Sequence, residues 1–192
     1  MRTLVLASTS RYRRELLQRL ELPFTTDSPD IDETPLVGEA PDATALRLAE
    51  AKARAVAERH PDALIIGSDQ VASVGEERFG KPGTVERAIA QLQRMRGRSI
   101  VFHTALALFD ARDGGVQLRN VRTEVAIRSL SDEEIVRYVE RENPLDCAGS
   151  AKCEGLGISL MEHMRGDDPN ALIGLPLIAL CAMLRQAGIA VP

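Results

Sequence analysis

An apolar run, Leu4-Val5-Leu6-Ala7, passes through Ser8-Thr9-Ser10 directly into Arg11-Tyr12-Arg13-Arg14-Glu15-Leu16-Leu17, which reads as a basic amphipathic helix. A buried strand that feeds a helix within three residues restricts the chain to layered α/β arrangements, because the helix has to pack back on the sheet it has just left. At the carboxyl end of that strand, three hydroxyls meet the helix-terminal N–H groups that have no partner inside the helix, with arginines one turn further on. That combination suits a phosphate or another planar anion. No glycine-rich phosphate loop and no dinucleotide fingerprint is present. A plainer reading, with Ser10 as an N-cap and the arginines as a solvated face, fits the same residues, and this segment leaves both open.

Further along, apolar strands alternate with helical patterns, which makes the fold class α/β. Pro23 breaks the chain before a short strand at Phe24-Thr25-Thr26, and residues 27–42 form an acidic stretch interrupted by prolines. The spacing predicts a helix over 42–59, a central strand from Leu64 through Asp69 towards Val74, and a helix starting near Thr84. A long strand over 99–110 meets Asp113-Gly114-Gly115, a hairpin signal, and returns through Val121, Thr123, Val125 and Ile127 as an antiparallel arm on a mixed sheet. Ser131-Asp132-Glu133-Glu134 opens a further helix with a capping box, and Asn143-Pro144 closes it. The tail from Asn170 to Gly188 reads as largely helical, interrupted at Pro176.

With 192 residues and no repeat or low-complexity linker, a single domain over residues 1–192 is expected, with room for two lobes. A formal charge of −4 with one local basic cluster argues against a nucleic-acid polymer as partner and favours a small anionic ligand. Cys147, Cys153 and Cys181 make no paired motif, and the N-terminus has no long apolar stretch, so a cytoplasmic protein with reduced thiols and no membrane partner is expected. His60, His103 and His163 lack metal-ligand spacing.

Four charged positions bear on chemistry. On the 42–59 helix, Leu46, Ala49, Ala53 and Val56 mark the buried arc, and Lys52 falls beside Ala45, Ala49 and Val56 rather than with Arg47 and Arg54 on the far side. Its ammonium either faces inward or lies at a boundary with its stem over apolar surface. Asp69 follows the run Leu64–Gly67 at the end of a central strand, where an unpaired carboxylate costs several kcal/mol, so a cation or metal should face it. Ligands of α/β sheets gather at such strand ends. Glu33, within Asp30-Ile31-Asp32-Glu33, reads on its own as a solvated loop residue, and Lys81, held in Gly80-Lys81-Pro82, as either a turn lysine or one aimed at an anion.

Taken in order, Leu6-Ala7-Ser8-Thr9-Ser10 with Arg13-Arg14, then Glu33, Lys52, Gly67-Ser68-Asp69-Gln70, Gly80-Lys81-Pro82, and Asn170 with Gly174-Leu175-Pro176 resemble the Maf family of nucleotide pyrophosphatases across nearly the whole chain. The resemblance implies a mixed twisted sheet with flanking helices, two lobes around a central cleft, and a protein that forms a homodimer. It also implies hydrolysis of a nucleoside triphosphate to the monophosphate and diphosphate with Mg²⁺ or Mn²⁺. Within the family the chain is most similar to the YceF branch, which acts on 7-methyl-GTP, through Asp-Glu-Thr-Pro at 32–35, Gly-Ser-Asp-Gln at 67–70 and Cys-Ala-Gly-Ser at 147–150. Tyr12, Gln70 and Glu154 match positions where that branch differs from the one preferring dTTP and UTP. Methylation at N7 makes guanine cationic; an aromatic face attracts it and an arginine repels it. Glu154 would meet the guanine N–H donors. The sequence departs from the family in Arg11, where proline is usual, and in Tyr12, where the branch often has tryptophan.

On this resemblance the expected reaction is in-line attack of water on the α-phosphorus. Asp69 is then the proton acceptor, sharing a divalent metal with Glu33, while Lys52 and Lys81, with Ser8, Arg13 and Arg14, hold the triphosphate. Two other readings remain open: a dTTP, UTP or CTP pyrophosphatase of the same family, and a nucleotide sensor in cell-division control that binds without hydrolysis.

Overall fold

Strand β1 (Leu4–Ala7) is buried at all four positions and has a parallel neighbour on each side. It pairs with β2 (Phe24–Asp27) in the register Leu4 to Phe24, and with β3 (Leu64–Val74) in the register Leu4 to Leu64 and Leu6 to Ile66. A strand enclosed on both faces needs no polar alternation, which is why Leu-Val-Leu-Ala is uniformly apolar. The computed structural model describes residues 2–192. In chain order the remaining elements are α1 (Arg11–Gln18), α2 (Pro41–Ala57), β4 (Glu77–Phe79), α3 (Val85–Met95), β5 (Ser99–Asp110), β6 (Val116–Ile127), α4 (Asp132–Glu142), β7 (Met161–Gly166) and α5 (Leu177–Gln186). The strand order is β2-β1-β3-β5-β6-β7, with β4 on β3, a mixed sheet as the sequence leads one to expect.

The chain divides into two compact units. The first holds the N-terminal residues through Gln70, Thr104–Val121 and Asp168–Pro192. Its core joins Leu4 and Leu6 of β1, Leu16 and Leu17 of α1, Leu64 and Ile66 of β3, Leu106 and Leu108 of β5, and Leu180 and Leu184 of α5. Helix α5 starts after Pro176, which offers no capping side chain. Asp168 supplies the cap from outside the helix: its Oδ2 accepts the Ile178 N–H at 2.6 Å while its Oδ1 accepts the Asn170 N–H at 2.9 Å. Asp168 is buried, so removing it leaves those donors dry. Asp168→Ala is expected to lower stability by about 1–2 kcal/mol, read from urea unfolding, with Asp168→Asn closer to the parent.

The second unit holds Val71–His103 and Arg122–Asp167. There the end of β3 turns at Gly75 (φ +59°) and pairs antiparallel with β4, Ala72 opposite Phe79. Helix α4 opens with the expected capping box: Ser131 Oγ accepts the Glu134 N–H at 3.2 Å, and the Glu134 carboxylate accepts the Ser131 N–H at 2.8 Å. Tyr138 is buried with its hydroxyl donating to the Ser150 carbonyl and accepting from the Lys152 N–H, both at 3.0 Å.

One strand has no counterpart in the sequence pattern, and two local expectations need correction. Strand β7 shows almost no burial, so Met161-Glu162-His163-Met164-Arg165-Gly166 carries no apolar alternation to read, and pairing with β6 is what makes it a strand. The buried arc of α2 runs through Leu48 rather than Leu46, which is half-buried. The tail is helical only from Leu177; residues 169–174 form turns because the carbonyls of Ala171, Leu172 and Gly174 accept bonds from side chains of the first unit instead of continuing a helix.

Candidate active site

Gly67 sets the geometry. A Cβ there would lie 2.1 Å from the Ala49 carbonyl oxygen and 3.0 Å from the Ala53 nitrogen, so the backbone of α2 rests directly on β3 at this residue. The close approach carries Lys52, on the buried side of α2, to Asp69, two residues beyond Gly67. Only 5% of Lys52 and 7% of Asp69 remain exposed, which rules out two separately solvated charges. Lys52 Nζ donates to Asp69 Oδ1 at 2.6 Å and pairs with Glu33 Oε1 at 2.8 Å. The lysine thus lies between two carboxylates, and the inward reading of its side chain is the one realised. Glu33, which reads as a loop acid from its neighbours alone, joins the same cluster.

Burial pushes the Asp69 carboxyl above the usual carboxylate range, and the charge and hydrogen bond of Lys52 pull it back. Arg13 acts in the same direction as Lys52, and Glu33 opposes them. Arg13 itself is lowered from the ordinary guanidinium value by burial, against the attraction of Asp69 and Glu33. It stays charged, as arginine does throughout the accessible range. Its Nε donates to the Gly174 carbonyl at 2.9 Å, and its Nη1 reaches Ser8 Oγ at 3.5 Å.

The Gly174 carbonyl is shared. Ser68 Oγ lies 3.0 Å from it and 2.8 Å from the Ala105 carbonyl. Next along β3, Gln70 Nε2 lies 2.9 Å from Thr104 Oγ1 and 3.0 Å from each of the Ala171 and Leu172 carbonyls. Ser68 and Gln70 therefore fasten the turn over 169–174 to β3, and that turn fixes Arg13. Thr104, which also donates to Ala171 at 2.9 Å, escaped the sequence reading because a threonine inside an apolar strand has no local signature.

At the start of α1 the capping reading of Ser10 is realised. Ser10 caps the helix by accepting the Arg13 N–H at 3.4 Å, and buried Ser8 accepts the Ser10 N–H at 3.1 Å. Tyr12 is half-buried, with the Arg11 guanidinium 4.7 Å from its ring centre and bonded to its hydroxyl at 3.0 Å. Arg14 is exposed. Lys81 and Glu154 belong to the second unit and are exposed. The turn carrying Lys81 is held by Gln91 Nε2 on the Gly80 carbonyl at 3.1 Å and by the Gly83 N–H on the Leu145 carbonyl at 3.0 Å. Beside Glu154, burial first and the glutamate second push the Cys153 thiol up to about 12, so it is no nucleophile at neutral pH. Among the described residues, no three His, Cys, Asp or Glu side chains converge as a metal cage, and no helix is long and apolar enough to cross a membrane.

Fold and site together define a mixed α/β protein that holds a buried lysine between two carboxylates, with an arginine drawn in beside a strand-to-helix turn. The profile of Maf-like proteins matches residues 3–187, and the chain belongs to the Maf family. It is 65% identical over 189 residues to a protein of Aromatoleum aromaticum named 7-methyl-GTP pyrophosphatase, covering 98% of this chain and 97% of that one. A protein of Thiobacillus denitrificans with the same name is 62% identical over 187 residues, covering 97% and 93%. Among solved structures, the Ham1 protein of Staphylococcus aureus superposes with a TM-score of 0.54 at 16% identity, covering 97% of this chain and all of that one, a likeness of fold.

Proposed function

We propose that the protein is a nucleoside triphosphate pyrophosphatase that hydrolyses 7-methyl-GTP to 7-methyl-GMP and diphosphate. Family membership and the names of its full-length relatives support the reaction class and substrate. The observation that carries it is Lys52 between Asp69 and Glu33, at 2.6 and 2.8 Å, with Arg13 close enough to feel both carboxylates.

Attack of water on the α-phosphorus needs a proton acceptor, neutralisation of the phosphate charge and a stable leaving group. Asp69 accepts the proton; burial raises its pKa and with it its basicity, while Lys52 favours the charged form. Arg13, Arg14, Lys52 and Lys81 offset phosphate charge, and Ser8 adds a hydroxyl at the turn. Two carboxylates are too few for an all-protein metal cage but match the usual Mg²⁺ arrangement, in which one or two carboxylates share the ion with substrate phosphates. Glu33 and Asp69 would hold Mg²⁺ or Mn²⁺, which supplies charge neutralisation for the departing diphosphate. The reading takes residues 1–192 as one functional domain and the protein as a cytoplasmic homodimer.

For the base, Tyr12 provides an aromatic face and Glu154 a carboxylate. The Arg11 guanidinium lies over the Tyr12 ring, so a cationic base would have to displace it to stack on that face. Diphosphate release from 7-methyl-GTP, GTP, dTTP, UTP and CTP tests the assignment, with a preference for 7-methyl-GTP expected. Tyr12→Arg should lower kcat/KM for 7-methyl-GTP by about 10-fold relative to GTP, since a desolvated cation–π contact contributes about 1–2 kcal/mol. Equal loss on every nucleotide would make Tyr12 a packing residue, and a parent preference for dTTP or UTP would overturn the substrate.

A further inference from the structure

Glu33 sits in a stretch, residues 28–40, with neither helix nor strand, and its side chain is 58% exposed, yet its carboxylate is held 2.8 Å from Lys52. Backbone pairing does not account for that precision, so side chains must supply it. Arg47 of α2 supplies a central part of it. Its Nε and Nη2 grip the two oxygens of Glu39 at 2.6 and 2.8 Å, and the same Nη2 reaches the carbonyl of Thr34, the residue after Glu33, at 3.3 Å. Glu39 Oε2 also accepts Thr44 Oγ1 at 2.7 Å and the Leu36 N–H at 3.1 Å. The loop is fastened at its start as well, where Arg59 bonds Asp27 and the Ser28 carbonyl, each at 2.8 Å.

We propose that Arg47 is a positioning residue: locked on Glu39 and holding the Thr34 carbonyl, it sets the Glu33 carboxylate against Lys52 and so fixes the lysine between its two acids. The planar fork is what the geometry uses, two parallel bonds to one carboxylate and a third to a carbonyl, and a lysine has no equivalent. Arg47 and Lys52 lie on one helix, so the same rigid element carries the site lysine and the clamp that brings its second acid. This inference rests on the role given to Glu33 above.

Steady-state diphosphate release from Arg47→Gln, Arg47→Lys, Glu33→Gln and the double variant Arg47→Gln/Glu33→Gln tests it. Arg47→Gln should lower kcat by about 10-fold or more with KM little changed, in the range of residues that orient a site group from behind, and Arg47→Lys should not restore it. The double variant should be no slower than Glu33→Gln alone, because a residue that acts through Glu33 has nothing left to orient. Multiplying losses, or an unchanged kcat in Arg47→Gln, would overturn the proposal. Hydrogen exchange gives a readout independent of turnover: the amides of residues 30–34 and of Leu36 should exchange faster in Arg47→Gln and in Glu39→Gln, which keeps the shape of the acid, and unchanged exchange in both would overturn the clamp. A fully active Glu33→Gln enzyme would instead overturn the role of Glu33 on which the inference stands, leaving the clamp to the exchange result.

Discussion

Replacing Asp69 by asparagine is expected to cut diphosphate release by about 1,000-fold while leaving a folded protein, the middle of the range for a positioned general base. Asparagine fills the same volume, and Lys52 keeps Glu33 as its partner at 2.8 Å, so the buried ammonium is not abandoned. Circular dichroism and a urea midpoint close to the parent establish folding, and near-normal turnover in such a protein would remove Asp69 from the chemistry. The pH dependence has a definite sign. Because burial raises the Asp69 pKa, the acid limb of kcat/KM should lie above the usual carboxylate range, with activity growing as pH rises through it. Lys52→Met removes the main influence pulling that pKa down, so the limb should move to higher pH. Stability runs the other way: the folded state holds this proton more tightly than the unfolded chain. The contribution of Asp69 to folding is therefore fullest below its unfolded pKa and is lost as pH rises through the folded one.

Gly67→Ala is expected to have a large structural effect for a single added methyl group. The new carbon would lie 2.1 Å from a main-chain oxygen of α2, so neither partner can yield by rotating a side chain. Overpacking in a core costs about 1–3 kcal/mol, and a clash of backbone against backbone belongs at or above the top of that range. Helix α2 has to move by more than an ångström, carrying Lys52 away from Asp69, and a displacement of that size costs about 100-fold in turnover. Urea unfolding and steady-state kinetics should therefore fail together. A variant that keeps both parent stability and parent kcat would show that α2 does not bear on β3 at this point.

What the sequence showed of this site, and what it hid, follow from the range of the interactions. Lys52 and Asp69 stood out because each is a charge in an apolar pattern, on a buried helix arc and in a buried strand, and burial forces such charges to find each other. The capping box at Ser131 was legible because its bonds span three residues. Gly67 could be seen in the motif but not its reason, since the helix it receives arrives from elsewhere in the chain. Arg47 looked like a solvated residue because it lies off the buried arc; its partners, Glu39 and Thr34, come from a loop with no periodicity. Asp168 was silent for a similar cause: it caps a helix that begins nine residues later, across a turn whose shape is set by Gln70 and Thr104.

The meeting of Arg13 and Ser68 on the Gly174 carbonyl bears on biosynthesis. A nascent chain that has left the ribosome only through β6 already contains Glu33, Lys52 and Asp69, but not the carbonyl that orients the arginine. The turn that supplies it follows β6 by more than forty residues in the chain. A chain that stops before that turn would therefore hold Arg13 without the carbonyl that orients it.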